Sequence, residues 1–175
     1  MTQHPHSQSQ FCMHCGGPLT TGVPRGDKLE RLMCRRCRFV HYINPRPVAG
    51  TIPVRPSDGS VLLVRRAIKP QKGLWVFPGG FMDMGETAEQ TAVRETREEA
   101  NLEVRALQLV GVYTRVDPGI VIVVYSATAV SDASAGDETS EVGWFTPDAI
   151  PWDELAFDST VAALHDWLGS QTRGS

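Results

Sequence analysis

The stretch Gly80-Phe-Met-Asp-Met-Gly-Glu86-Thr-Ala-Glu-Gln-Thr-Ala-Val-Arg94-Glu95-Thr-Arg-Glu98-Glu99-Ala-Asn-Leu102 decides how this chain is read. Five residues separate Gly80 from Glu86, and seven separate Glu86 from Arg94. In a helix over 88–100, Glu95 and Glu99 stand one turn apart and Glu98 lies three residues after Glu95, on adjoining faces. Like charges at that spacing destabilise an isolated helix by roughly 0.2–0.5 kcal/mol per pair. A divalent cation would turn the repulsion into ligation, and hard oxygen donors suit Mg²⁺ or Mn²⁺. Spacing alone leaves the alternative, a solvated acidic helix face, open.

The flanking residues favour a site. Trp75-Val76-Phe77-Pro78-Gly79-Gly80 is a short apolar stretch closed by glycines, which permit close approach of a ligand. Thr87 followed three residues later by Gln90 is a capping-box pattern, so the helix start is well placed. Ala88, Ala92, Thr96 and Ala100 form a small-residue stripe suited to packing on a sheet. Asn101 stands where a left-handed C-terminal residue is expected. Together these predict a strand-loop-helix module carrying a carboxylate row.

The run resembles the Nudix box, Gly-x5-Glu-x7-Arg-Glu-U-x-Glu-Glu-x-Gly-U with U aliphatic. Gly80, Glu86, Arg94, Glu95, Glu98, Glu99 and Leu102 match. Thr96 replaces an aliphatic residue, adding a hydroxyl able to bond back to the helix. Asn101 replaces glycine, and Asn tolerates positive φ best among the other residues. Neither change touches a ligand position. The resemblance implies hydrolysis of a nucleoside diphosphate linked to another group X, with Mg²⁺ or Mn²⁺ held by box glutamates and the Gly80 carbonyl. A pyrophosphate repels an anionic nucleophile, so cations must neutralise charge and lower the pKa of a bound water. Glu95 and Glu99 are expected as principal ligands, and Glu98 as a ligand or as the residue that orients water. Arg94 reads as an orienting ion-pair partner, because a guanidinium fixes carboxylate direction. Glu86 is expected to support the site from the loop side. Glu138 and Glu141, just before Val142-Gly143-Trp144-Phe145, are the candidates for a base outside the box; exposed loop acids are the alternative.

A second pattern is Cys12-x2-Cys15 and, after eighteen intervening residues, Cys34-x2-Cys37, which account for all four cysteines. Four thiolates at such spacing suit tetrahedral Zn²⁺, and the metal would fold a segment too short for its own core. Two disulfides would require an oxidising compartment, yet no apolar signal segment precedes Cys12. A closed four-sulfur site has no open position and is structural, not catalytic. Arg31, Arg35, Arg36 and Arg38 add local positive charge, and Phe39 and Tyr42 could stack a base. The whole chain, however, has 17 basic and 20 acidic side chains, and nucleic-acid binding usually shows as a basic excess. A rigid appendage for packing or homodimer formation is the favoured reading of this ribbon.

With 175 residues and a net charge of −3, the composition predicts one catalytic core plus a small appendage, without membrane affinity and in the cytoplasm. The runs of apolar residues, such as Ile120 to Val124, are strand-sized and too short for a bilayer. The expected organisation is a disordered tail over 1–10, a zinc ribbon over 11–43, a Nudix domain over 44–168 and a flexible end over 169–175. Strands are expected at 48–54 and 60–66, joined as a hairpin at Ser57-Asp58-Gly59, then at 104–115, 120–130 and 142–145. Helices follow at 87–100 and 158–168. This order predicts an α/β fold with a mixed sheet between helices, and the resemblance implies the Nudix α/β/α sandwich.

The group X is the harder question. A ribbon immediately before a Nudix domain resembles NADH pyrophosphatases, but those carry a Ser-Gln-Pro-Trp-Pro-Phe-Pro-like stretch after the box. Here Gly111-Val112-Tyr113-Thr114-Arg115 stands instead, which lowers NADH and NAD-capped RNA as substrates. The Cys-x2-Cys-Gly-Gly-Pro start, Tyr42-x-Asn44-Pro45, Val64-Arg65-Arg66 and Ile150-Pro151-Trp152-x3-Ala156-Phe157 look closer to ribbon-bearing Nudix proteins grouped as ADP-ribose or FAD pyrophosphatases. Arg65, Lys72 and Arg115 are expected phosphate contacts, with surface solvation as the alternative. Trp75, Tyr113 and Tyr125 could stack an adenine, though buried core aromatics are commoner. A silent regulator that only senses ADP-ribose would be expected to lose box glutamates, and this chain retains them.

Overall fold

The computed structural model describes residues 10–171, and internal contacts divide the chain into two compact units, the first ending at Pro45 but including Val116–Gly119, the second made of Arg46–Arg115 and the residues from Ile120 on. In the first unit, β1 (Leu19–Gly22), β2 (Arg31–Cys34) and β3 (Val40–His41) form a small antiparallel sheet in that order. Leu19 faces Cys34 and Leu32 faces His41 across it. This unit buries few apolar side chains besides Cys12 and Cys34, so a cross-linking centre must supply what its core cannot.

The second unit is a mixed sheet of seven strands between two helices, the α/β class expected. Its strands are β4 (Arg46–Val54), β5 (Val61–Arg66), β6 (Trp75–Val76), β7 (Gly79–Phe81), β8 (Val104–Arg115), β9 (Ile120–Ala129) and β10 (Thr139–Phe145). The order across the sheet is β10-β5-β4-β9-β8, with β6 on β5 and β7 on β4. The helix α1 (Ala88–Ala100) covers one face and α2 (Asp158–Gln171) the other. Strict alternation in β5 divides the core. Val61 and Leu63 pack with Ile52, Ile122, Leu164 and Trp167 on the α2 side. Leu62 and Val64 pack with Ala100 and Leu102 on the α1 side.

The expected hairpin of 48–54 with 60–66 forms only at its turn. Val54 pairs with Val61, after which the two strands separate. Their near-continuous burial makes both of them central strands that need partners on each side. The segment 75–81 enters the gap, pairing Val76 with Val64 and then Gly80 with Ala49. β4 meanwhile takes β9 as a parallel neighbour from Arg46↔Ile120 to Val54↔Thr128. This wedge carries Gly79 and Gly80 to the helix face where the glutamates lie.

The α1 boundaries follow from local chemistry. Thr87 accepts a bond from the Gln90 N–H and the Gln90 side chain accepts from the Thr87 N–H, a complete capping box. Asn101 ends the helix at φ 47°. α2 continues to Gln171, past the expected end at 168, with the Ser170 hydroxyl donating to the Trp167 carbonyl at 2.6 Å. The remaining parts of the two expected tails, 1–9 and 172–175, lie outside the described residues. Among those described, no helix is long and apolar enough to cross a membrane.

The Thr96 hydroxyl bonds back to the Ala92 carbonyl at 2.7 Å and meets the Thr51 hydroxyl at 2.6 Å, both threonines being fully buried. Thr96→Val removes the acceptor of the Thr51 hydroxyl and is expected to cost about 1–3 kcal/mol, whereas Thr51→Val/Thr96→Val together should be close to neutral. Denaturant unfolding of the two singles and the double checks this. Additive losses would show that the two hydroxyls are uncoupled.

Candidate active site and zinc cluster

Arg94 organises the glutamates. Its Nε and Nη2 donate to the two Glu86 carboxylate oxygens at 2.7 and 2.9 Å, and Nη1 donates to Glu95 at 2.7 Å and Glu98 at 3.0 Å. Nη2 also donates to the Phe81 carbonyl at 3.1 Å, so each of the five guanidinium N–H groups has an acceptor. Glu86 further accepts from the Thr91 hydroxyl at 2.8 Å, and Arg94, first among these contacts, holds its pKa down at about 2. Glu86 is therefore tied into the scaffold between loop and helix.

Glu95 and Glu99 behave differently. Burial pushes the Glu95 pKa up even against the adjacent Arg94. Burial raises Glu99 to about 7, opposed mainly by the Gly79 N–H, which donates to it at 2.9 Å. Among the described residues, no ion pair forms on Glu99. A Cβ on Gly80 would collide with the Glu95 carboxylate, so only glycine leaves that carboxylate its place.

These groups line a cleft of about 840 Å³ with Arg66, Lys69, Asp83, Asp137 and Glu138. Carboxylates outnumber guanidinium and ammonium groups there, so the bare cleft would repel a polyphosphate. Glu95, held by Arg94 through one oxygen, and Glu99, which has no ion pair, crowd together half-buried beside Gly79 and Gly80 and form a hard-oxygen donor set. The residues fit a divalent cation such as Mg²⁺ or Mn²⁺.

A loop that the sequence showed only as polar completes this wall. The Ser134 and Gly136 N–H groups donate to the Ala100 and Glu99 carbonyls at 2.9 and 3.0 Å, and the Asn101 amide donates to the carbonyls of Ser134 and Ala135. These bonds satisfy the open carbonyls of the α1 C-terminus. They also bring Glu138 close enough to raise both Glu95 and Glu99.

Several expected residues lie elsewhere. Glu141, expected as a base, is 3.4 Å from Arg65, its partner in the register of β10 and β5. Both occupy the sheet face opposite α1, because Val64 and Val142 face α1 and side chains alternate. Arg65 stacks over Trp75 at 4.7 Å and bonds Glu154 at 3.0 Å, so it is no phosphate contact in this cleft. Arg66, one residue on, points into it; counting alternation from Leu62 and Val64 would have found it. Lys72 is exposed outside the cleft, and Lys69 lines it instead. Arg115 lies over the Phe157 ring at 4.2 Å. Trp75 and Tyr125 are core residues, and Tyr113 packs against the core while its hydroxyl donates to Asp166 at 2.8 Å.

In the first unit, one sulfur from each cysteine lies within 4.8 Å of all the others. The Arg36 and Cys37 N–H groups donate to Cys34 Sγ at 3.3 and 3.4 Å, and the His14 N–H donates to Cys12 Sγ at 3.4 Å. The cysteines form no disulfide. Such N–H donation stabilises thiolate; it is the main cause of the lowered Cys34 pKa, about 6. The cluster suits structural zinc.

Residues 44–167 match the NUDIX domain family. The chain belongs to the Nudix family. Residues 10–43 match its N-terminal zinc-ribbon family. This Nudix hydrolase is 37% identical to a NUDIX hydrolase of Nitrosomonas europaea of known structure, with a TM-score of 0.87 over 95% of this chain and 94% of that one. It is 32% identical to an ADP-ribose pyrophosphatase of Methanocaldococcus jannaschii over 64% of this chain and 68% of that protein. It is 30% identical to the NAD-capped RNA hydrolase NudC of Pseudomonas aeruginosa over 82% of this chain but 50% of NudC. The hydrolase thus spans about half the length of such NudC relatives.

The Glu99 carboxyl titrates near 7 when folded and at its ordinary 4.5 when unfolded. The folded state binds this proton more tightly, so the contribution is complete below pH 4.5 and is lost as pH climbs through 7. Without added divalent cation, stability is expected to fall by about 3 kcal/mol from this group across that window. Glu99→Gln should lack that part of the fall. Parallel pH profiles of the two proteins would contradict the assignment.

Proposed function

We propose that this Nudix hydrolase cleaves the pyrophosphate bond of a nucleoside diphosphate linked to X, with ADP-ribose or an FAD-like dinucleotide as substrate and AMP as product. The observation that carries the reading is the convergence of Glu95 on Gly80 and of Glu99 on Gly79 in a cleft of about 840 Å³ that bears a surplus of acid. Glu95, Glu98, Glu99 and the Gly80 carbonyl would hold Mg²⁺ or Mn²⁺. The cation, when bound, supplies charge neutralisation and a more acidic water. Arg94 holds Glu95 and Glu98 in direction from one guanidinium, and Glu86 holds Arg94. Glu99 is fixed by the Gly79 N–H. Arg66 and Lys69 line the cleft as cations for phosphate oxygens, the role expected of Arg65, Lys72 and Arg115. Glu138, on the cleft wall, is the better placed base of the two acids outside the box; Glu141 faces away.

The likeness to an ADP-ribose pyrophosphatase and the lack of the Ser-Gln-Pro-Trp-Pro-Phe-Pro stretch favour ADP-ribose over NADH. The likeness to NudC favours the second reading, NADH or NAD-capped RNA. Purified protein with Mg²⁺ or Mn²⁺ is expected to release AMP from ADP-ribose and FAD faster than from NADH, diadenosine polyphosphates or NAD-capped RNA. A preference for NADH or capped RNA would replace the first reading with the second. Turnover of none of them, with ADP-ribose bound, would make the protein a sensor.

A further inference from the structure

The chain's charge is unevenly shared. Residues 1–45 contain six arginine or lysine side chains against Asp27 and Glu30, so the remaining residues hold eleven basic against eighteen acidic. The net −3 of the whole chain therefore hides a basic ribbon joined to an acidic catalytic unit. Even with four thiolates around a divalent ion, a centre of charge −2, the ribbon stays positive. Among the described residues, Arg35, Arg36 and Arg38 are exposed and none forms an ion pair with a carboxylate. They stand in the turn around Cys34 and Cys37, which N–H donation to Cys34 Sγ holds in one shape. Their charge is presented by a rigid loop and not by a tail.

The same unit exposes aromatic rings that a small zinc module would be expected to cover. Phe39 is 40% exposed and Tyr42 60%. Phe39 lies parallel to His14, with ring centres 5.5 Å apart and planes 9° apart, and meets the His41 ring edge-on at 4.9 Å. The Arg31 guanidinium lies over Tyr42 at 5.4 Å. His41 and Tyr42 line a groove of about 290 Å³ with Phe11, Met13 and Leu32. The buried Nε2 of His41 has no hydrogen-bond partner among the described residues.

We propose that the ribbon is a docking surface for single-stranded nucleic acid, with bases on Phe39 and Tyr42 and phosphates on Arg35, Arg36 and Arg38. Single strands leave their base faces free to stack on aromatic side chains, and a fixed cationic rim tracks the backbone. A duplex hides those faces, so this surface discriminates against it. An acidic or purely apolar protein partner would use either the arginines or the rings; a single strand uses both. This binding function lies in the ribbon alone and is independent of which nucleotide the catalytic unit hydrolyses.

The test uses the zinc-loaded full chain and fluorescein-labelled oligo(U) and oligo(dT) of about 12 nucleotides, with a duplex of the same length, read by anisotropy across a salt series. Binding that weakens with salt, and is at least about tenfold tighter for single strands than for duplex, is expected. Phe39→Ala/Tyr42→Ala should weaken it at least about tenfold while zinc content and nucleotide hydrolysis stay unchanged. Replacing the three arginines by glutamine should lower the slope of log K against log salt by about 2. Oligo(U) and oligo(dT) bound alike would mean a surface for any single strand, and a preference for oligo(U) a reading of the 2′-hydroxyl; both support the proposal. Equal affinity for duplex, or full binding by the aromatic double variant, overturns it. So does the absence of binding at low salt. A dimer in sedimentation that the aromatic variant dissolves, without oligonucleotide binding, would assign the face to a second copy of the chain and likewise overturn it.

Discussion

Glu99→Gln is expected to remove divalent-cation-dependent hydrolysis, with kcat falling by about 10³-fold or more, equivalent to about 4 kcal/mol of transition-state stabilisation. The amide keeps the size of the side chain and can keep an oxygen toward the Gly79 N–H, now 2.9 Å from the carboxylate. What it loses is the negative charge that a hard cation needs. The fold should survive, because the charged form is already disfavoured by burial. Steady-state kinetics with Mg²⁺ and Mn²⁺ titrations, together with thermal melts, separate the two effects. Wild-type turnover in this variant would refute the role given to Glu99. A variant that is inactive only because it is unfolded would refute the claim that the carboxylate serves chemistry and not the core.

Cys34→Ser should take zinc from stoichiometric to background by elemental analysis and unfold the ribbon. Zinc contributes roughly 10–16 kcal/mol to folding of small four-ligand domains. Cys34 is the buried member of its knuckle and the acceptor of two N–H bonds, so a serine oxygen there is both a poor zinc ligand and a displaced packing group. Hydrolysis by the second unit, which has its own core, is expected to outlast the loss of metal. A zinc-replete variant would count against the cluster. Chemistry lost in step with zinc would make the ribbon part of the catalytic apparatus.

The helix and its caps were legible because their causes are local. Thr87 and Gln90 set the start of α1 through bonds within one turn, Asn101 ends it in the left-handed conformation, and the box runs along the same short segment. The cysteine spacing was legible for a similar reason, since two short knuckles need only one ion to join them. The expectations for Arg65, Lys72, Arg115 and Glu141 rested on nearness in sequence to strand ends. That guide fails where one residue of shift turns a side chain to the other face of a sheet, as Arg65 and Arg66 demonstrate. The whole-chain charge did not show the basic excess of residues 1–45, because a sum cannot reveal how charge is divided between two units.

The order of residues therefore dictated the pieces: which segment is helix, where four thiols and three glutamates recur, and which family they resemble. Those are short-range matters of hydrogen bonding, spacing and period. Only the assembled chain decided that the segment 75–81 would wedge between β4 and β5 and that the loop before β10 would cap α1. Strand pairing and loop docking join residues far apart in sequence, and their choice depends on burying every face at once. That choice placed Gly79, Gly80 and Glu138 beside Glu95 and Glu99, and turned a row of acids on a helix into a cleft.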